Sequence, residues 1–276
     1  MSGILYVVGT PIGNLGDMTD RARQVLGSVD TLAAEDTRHT GRLLSRFGIK
    51  RRIVSLFEGN ERERTGELLQ RLREGRDVAL VTDAGMPTIS DPGFRVVRAC
   101  VEDGIEVRVV PGPSAVTAAL VVSGLPVDRF VFEGFLPRKA GERRERLRLL
   151  AGDPRTVVLF ESPLRVVALL RDVLSELGDR RVALARELTK LHEEVVRGRA
   201  SEVLARFAGS EPKGEVVLVI EGHAGDEVAD LPELVAEAQR LADGGMRKRE
   251  AAAAVARGRG ASANAIYEAL IRTTPT

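Results

Sequence analysis

The residues with chemistry to offer gather where apolar runs stop. In "YVVGTPIGNLGDMTD", Gly9, Gly13 and Gly16 follow the run Ile4-Leu5-Tyr6-Val7-Val8, with Pro11 among them. Glu35 and Asp36 end a second run, and a third feeds "VTDAGMPTISDPGF". A fourth ends in "VVPGPSAV", residues 109–116, where Ser114 opens a helical pattern. Glycine-rich loops at strand ends hold phosphates when their spacing is right, and here it is not. A P-loop needs a Lys-Ser/Thr pair after its glycines, and "GTPIGNLGD" has no such pair. The dinucleotide fingerprint G-x-G-x-x-G is replaced by G-x-x-x-G-x-x-G. Glu35-Asp36 stand where a dinucleotide fold keeps its ribose-binding acid, but without the fingerprint that position carries little. Loop 81–94 has more turn chemistry than a strand-to-helix link needs. Ser90 or Asp91 is placed to cap the next helix with Pro92 at its first position. That leaves "DAGMP" to another task.

The second half repeats the pattern. Glu161-Ser162-Pro163 end one apolar run, Arg186-Glu187 end another with Thr189-Lys190 in the following turn, and Lys213-Gly214-Glu215 begin a third. Each is explicable as a cap or a solvated turn; together they form a second loop cluster facing the first. The histidines at 39, 192 and 223 lack metal-ligand spacing, so no metal is expected.

Elements must hold these loops at a common edge. Strands are expected at 4–9, 31–34, 53–56, 78–82 and 105–110, with helices at 17–29, 38–47, 61–75 and 92–103. Such alternation builds a mainly parallel sheet covered by helices, with ligands at the C-terminal strand ends. A second set of strands is expected near 129–133, 155–161, 181–186, 193–198 and 215–221, with helices at 142–150, 163–177 and 200–208. Its strands crowd near 181–198, which implies a mixed sheet. From Leu231 the pattern is helical only, as three helices punctuated by Gly244-Gly245 and by Gly258 and Gly260. The expected division is an α/β domain over 1–118, a second α/β domain over 119–226 and a helical tail over 229–276.

Bulk properties narrow the classes. The chain of 276 residues has a formal net charge of +1, so nucleic-acid contact must come from local patches. Its cations are mostly arginine, with lysine only at 50, 139, 190, 213 and 248. Cys100 is the sole cysteine, which excludes a disulfide framework. "MSGILYVVG" lacks a basic leader region, and "AVTAALVVSGLPV" is too short for a membrane span. A cytoplasmic protein is expected, with no membrane partner.

Seven motifs carry a resemblance. "LYVVGTPIGNLGDMTDRA", "AAEDTRHTGRLL", "VTDAGMPTISDPG", "VVPGPSAV", "FEGFLPRK", "FESPLRV" and "RELTKLHEEVVRG" stand in an order that resembles the ribosomal RNA small-subunit methyltransferase I family, from about residue 4 to 222. That family has the tetrapyrrole-methylase fold and uses S-adenosylmethionine. The chain departs from its pattern at Met86, where threonine is usual, at Phe160, where tyrosine is common, and in the tail, where "ASAN" stands for "LSKN". The resemblance implies two α/β domains with the cofactor in the cleft between them, and a helix-turn-helix-like appendix. It places Ile12, Gly85, Met86, Pro87, Ile89, Ser114 and Ala115 against the cofactor from the first domain. Phe160, Leu188, Lys213, Gly214 and Glu215 close over it from the second. The implied reaction is methyl transfer to a cytidine ribose 2′-hydroxyl in the decoding region of small-subunit (16S) ribosomal RNA, within the ribosomal subunit, by a homodimer.

Such a transfer must align an oxygen and remove its proton. Glu161, Glu187, Lys190 and His192 are the residues considered as base, since a buried lysine can lose its proton near neutrality. RNA contact is expected from Arg138, Lys139, Arg143 and Arg144, from Arg186, and from Arg247, Lys248 and Arg249 in the tail. Two other readings stay open: a tetrapyrrole methyltransferase of the same fold, and a ligand sensor whose tail binds DNA.

Overall fold

A computed structural model describes residues 2–207, 209, 212–223, 231–256 and 262–272. Gly258 and Gly260, the expected break between the last two helices, lie outside these residues, as do the expected limits at 226 and 229. The first five strands are β1 (Leu5–Val8), β2 (Thr31–Ala34), β3 (Arg52–Ser55), β4 (Val78–Val81) and β5 (Val107–Val110). They form one parallel sheet in the order β3-β2-β4-β1-β5. Alternation decides the faces. Leu5 and Val7 join a core with α3 (Glu61–Arg73) and α4 (Phe94–Glu102). Val8 joins a core on the other face with α1 (Asp20–Ser28) and α2 (Thr37–Arg46). β4 is buried at all four positions, as a central strand covered on both sides must be.

The second sheet holds β6 (Phe130–Phe135), β7 (Thr156–Glu161), β8 (Arg181–Arg186), β9 (Glu194–Arg199) and β10 (Val216–Ile220). Its order is β6-β7-β10-β8-β9, parallel only between β6 and β7. One face packs on α6 (Ala140–Leu149), α7 (Val166–Leu177) and α8 (Ala200–Phe207). The other face packs on α5 (Ala115–Ser123), which brings Val116, Ala119 and Leu120 against Val158, Ala183, Val217 and Val219. The 118/119 division expected from sequence therefore falls inside one continuous helix that lies on the second sheet. Three tail helices, α9 (Leu231–Asp243), α10 (Lys248–Ala256) and α11 (Ala263–Arg272), share a small core of their own. No helix among the described residues is long and apolar enough to cross a membrane.

Several helix starts differ from the sequence expectation, and those of α1 and α4 shape the site. α1 begins only at Asp20, because Leu15–Asp17 form a 3-10 turn and Thr19 caps the helix through Ala22 N–H at 3.1 Å. α4 is not capped by Ser90 or Asp91, and Pro92 does not open it. Its N-cap is Gly93, whose φ is 121°, and the capping acceptor comes from another helix. Glu61 is buried, and its Oε1 accepts from the N–H groups of Gly93 at 2.9 Å and Arg95 at 3.1 Å. Ser90 and Asp91 are thereby free to face elsewhere. Glu61→Ala leaves two N–H groups short of an acceptor and is expected to cost about 2 kcal/mol, read as a lowered urea midpoint. Glu61→Gln keeps the acceptor and should recover most of the loss.

Candidate active site

The loops after β1, β4 and β5 meet those after β6, β7 and β8 and the start of β10. Between them lies a cleft of about 480 Å³. The strand geometry dictates this place, because parallel strands put all their helix-entering loops at one edge. The first wall is pinned by an isolated antiparallel bridge, Thr10 N–H to Gly85 O at 2.9 Å and Gly85 N–H to Thr10 O at 3.1 Å. The buried Thr10 hydroxyl donates to the carbonyl of Thr82 at 3.2 Å. Gly9 and Gly112 allow the first and third loops to touch backbone to backbone. A Cβ on Gly9 would stand 2.7 Å from Gly112 Cα and from Met86 Sδ. Gly9→Ala must therefore push apart two loops of the cleft. It is expected to lower stability by about 1–3 kcal/mol and to weaken ligand binding, both visible in thermal melts with and without S-adenosylmethionine.

Among the described residues four that are not glycine adopt positive φ: Thr88 (74°), Ser90 (65°), Glu187 (51°) and Thr189 (66°). Two belong to the loop after β4 and two to the loop after β8, so backbone strain concentrates on the loops that face each other across the cleft. The second wall is held by a clasp. Lys190 Nζ lies 2.9 Å from both Glu187 Oε1 and Glu215 Oε2, and Glu215 N–H donates to Glu187 at 3.1 Å. Gly214, with φ of 85°, makes room for it, since a Cβ there would overlap the Glu187 carboxylate.

Of the twelve residues expected at the cofactor, Ile12, Gly85, Met86, Ile89, Ser114, Ala115, Phe160, Leu188, Gly214 and Glu215 line the cleft. Pro87 and Lys213 do not, and Lys213 is exposed. Of the four residues considered as base, only Glu161 lines it. Glu161 is buried and fully engaged: Arg165 lies 2.8 Å from each carboxylate oxygen, and Ser162 N–H donates at 2.7 Å. Lys190 does not become a neutral amine. Its partial burial favours proton loss, but the hydrogen bonds and charges of Glu187 and Glu215 outweigh it and raise its pKa. Glu187 is held below the ordinary carboxylate range, chiefly by the Lys190 hydrogen bond. His192 is exposed and outside the cleft.

The cleft contains a group that the sequence reading placed neither at the cofactor nor among the residues considered as base. Glu35, Asp83 and Asp91 line its first wall. Thr82 Oγ1 donates to Glu35 at 3.2 Å, and Asp83 accepts from Asp36 N–H at 3.2 Å. The Asp91 carboxyl is pushed up to about 7, first by burial, then by the charge of Glu35, with Asp83 adding and a Thr82 hydrogen bond opposing. With Glu161 and Glu215, five carboxyl residues line the cleft, and among the described residues no lysine or arginine does. Arg165 and Lys190 match Glu161 and Glu215 from behind, so the uncompensated charge is that of Glu35, Asp83 and Asp91, which repels phosphate and suits a cationic ligand with apolar parts. Ile12, Met86, Ile89, Phe135, Phe160 and Leu188 supply the apolar surface. Phe160 meets Phe132 and Phe135 edge-on, at 4.9 and 5.6 Å between ring centres.

The residues expected at RNA divide. Arg138, Lys139 and Arg144 are exposed around the start of α6. Arg143 does not join them: it is buried and paired with Asp172 at 2.6 Å. Arg186 is tied to Glu194 at 2.6 Å. In the tail, Arg247 is exposed, Lys248 is half-buried and Arg249 lies 5.7 Å over the Tyr267 ring.

Known proteins match this arrangement. A family model described as Tetrapyrrole (Corrin/Porphyrin) Methylases matches residues 4–204. A protein of Thermotoga maritima named ribosomal RNA small subunit methyltransferase I is 51% identical, over 80% of this chain and 99% of its own. The Escherichia coli O157:H7 protein of that name is 46% identical, over 96% of this chain and 94% of its own. Among solved structures, uroporphyrin-III C-methyltransferase from Thermus thermophilus complexed with S-adenosylhomocysteine superposes with a TM-score of 0.57 at 22% identity, covering 79% of this chain and 97% of that one.

Proposed function

The chain belongs to the ribosomal RNA small subunit methyltransferase I family, within the tetrapyrrole methylases, and from that premise we propose that it moves a methyl group from S-adenosylmethionine to the ribose 2′-oxygen of a cytidine in the decoding region of small-subunit ribosomal RNA. The observation that carries the cofactor assignment is the lining of the cleft: five carboxyl residues, no cationic side chain among the described residues, and apolar walls. S-adenosylmethionine bears a sulfonium, an ammonium and a single carboxylate, a net positive charge with no phosphate, and it supplies an electrophilic methyl whose loss leaves a neutral thioether. Ile12, Met86, Ile89 and Leu188 would hold its apolar parts, and the backbone at Gly85, Ala115 and Gly214 its polar edges. A polycarboxylate tetrapyrrole would instead meet carboxylates of its own sign.

With the methyl already activated, the residues must orient the acceptor oxygen and take its proton. Asp91 is best suited. It faces the cleft, is half-buried beside Glu35 and Asp83, and its pKa near 7 matches a base working at neutral pH. As the oxygen–methyl bond forms, the hydroxyl proton passes to the Asp91 carboxylate. Glu35 and Asp83 raise its proton affinity by their charge, and the Thr82 hydroxyl holds Glu35 in place by donating to it. The substrate is read as the ribosomal subunit, the location as the cytoplasm, and the active species as a homodimer, which sedimentation tests.

The deciding experiment incubates the protein with methyl-labelled S-adenosylmethionine and small ribosomal subunits from cells lacking the enzyme, then analyses nucleosides. Label in 2′-O-methylcytidine is the expected result. Label on a base, or none on RNA while the cofactor binds, would overturn the reading.

A further inference from the structure

An acidic cleft raises a problem that the expected RNA contacts do not solve. A strand delivering one nucleotide into a pocket of five carboxyl residues must have its phosphates held outside it. A second hollow, of about 420 Å³, lies between α3 and α4. Arg62, Arg95 and Arg98 surround it, with Phe94 on its wall. Phe94 is 63% exposed, more than any other phenylalanine among the described residues. Arg62 has no ion-pair partner among the described residues. Among the described residues Arg98 pairs only with Glu102, at 2.8 Å and with both side chains mostly exposed, a contact that gives way easily. Glu61 lies 3.6 Å from Arg95, but one of its oxygens is already committed to the α4 N-terminus.

Position makes the hollow more than a basic patch. α3 and α4 both start at the C-terminal edge of the first sheet, where the cleft opens. Phe94 stands three residues beyond Asp91, on the loop that lines the cleft. One short segment therefore carries acid into the pocket and an aromatic ring with arginines onto the surface beside it. We propose that this hollow seats the single-stranded RNA flanking the target nucleotide, with Arg62, Arg95 and Arg98 on its phosphates and Phe94 stacked on a base. The inference rests on the RNA reading above and names a surface that reading does not include.

The test measures binding of a labelled single-stranded RNA oligonucleotide over a salt series, beside methylation of small ribosomal subunits. In the triple variant Arg62→Gln, Arg95→Gln, Arg98→Gln, the slope of log affinity against log salt should shrink by about 2, since each single-strand phosphate contact contributes about 0.7. Phe94→Ala should weaken binding roughly tenfold with the slope unchanged. Both should raise KM for subunits and leave kcat and S-adenosylmethionine affinity as they were. If the triple variant melts early, Arg98→Gln alone, on an exposed side chain, should lose about 0.7 of slope. Unchanged RNA affinity and slope with subunits still methylated would overturn the inference and keep the RNA reading. Wild-type protein that binds RNA through these residues but methylates none would do the reverse. Variants that sediment as a smaller species than wild type would make the hollow a protein interface and overturn the proposal.

Discussion

Replacing Asp91 with asparagine is expected to lower kcat for methyl transfer by about a hundredfold to ten-thousandfold, the usual worth of a positioned general base. S-adenosylmethionine affinity should change far less, because the cleft keeps its shape and four carboxyl residues. Wild-type activity should climb as pH rises through about 7, where Asp91 ionises, and the residual activity of the variant should lack that climb. Stability should move the other way. The folded Asp91 pKa of about 7 lies above its ordinary 3.8, so the folded state holds a proton that the unfolded chain releases. Below 3.8 both states are protonated and the group is neutral to stability. Above that, folding is penalised increasingly, and fully beyond about pH 7. Asp91→Asn removes the penalty, so the variant should melt higher than wild type at about pH 8, and the difference should fade toward about pH 4. A fully active Asp91→Asn enzyme with an unchanged pH profile would end the assignment, and Glu35→Gln would then be the next carboxyl to examine.

Arg143→Ala is the second large effect, and it separates two readings of one residue. In sequence, Arg143 belongs to a run of cations with Arg138, Lys139 and Arg144, and looks like a contact for phosphate. In the fold, its side chain is 7% exposed and that of Asp172 14%, with Arg143 Nε donating to Asp172 at 2.7 Å. Removing the guanidinium leaves a buried carboxylate without its partner, which costs about 3–5 kcal/mol. The expected result is a sharply lowered melting temperature. The double variant Arg143→Met, Asp172→Leu should recover much of it, since an apolar pair of similar bulk replaces a buried ion pair well. A normal melt with weakened RNA binding would instead return Arg143 to the RNA surface.

These residues show how far the sequence could be read. Short apolar runs bounded on both sides by polar or charged residues were legible to within a residue at β2, β4 and β8. The loops at their ends were legible as a site, because they hold more glycine, proline and aspartate than reversing the chain demands. What could not be read was side-chain partnership across the fold. Nothing near Gly93 in sequence says that Glu61, 32 positions earlier, caps its helix. Without that contact Ser90 and Asp91 look like the cap, and their place in the cleft stays hidden. Lys190 fails as a base for the same reason, since Glu215 reaches it from 25 positions away. Runs of charge are likewise ambiguous: Arg143 and Arg144 are neighbours in sequence, but helical periodicity turns one inward and the other to solvent.

The strand orders also set a timetable for synthesis. The first sheet has its earliest strand, β1, between β4 and β5, so it is complete once residue 110 has emerged. The second sheet has its latest strand at its centre: β10, residues 216–220, lies between β7 and β8. Until it arrives, two strands buried in the finished protein present unpaired edges to each other and to any neighbouring chain. The cleft needs Gly214 and Glu215 at the head of that same strand, so no nascent chain can form the complete ligand site before its second sheet is ready to close. A chain stopped short of Val216 would be an adhesive intermediate, whereas one stopped after Ile220 would have both sheets and the whole cleft.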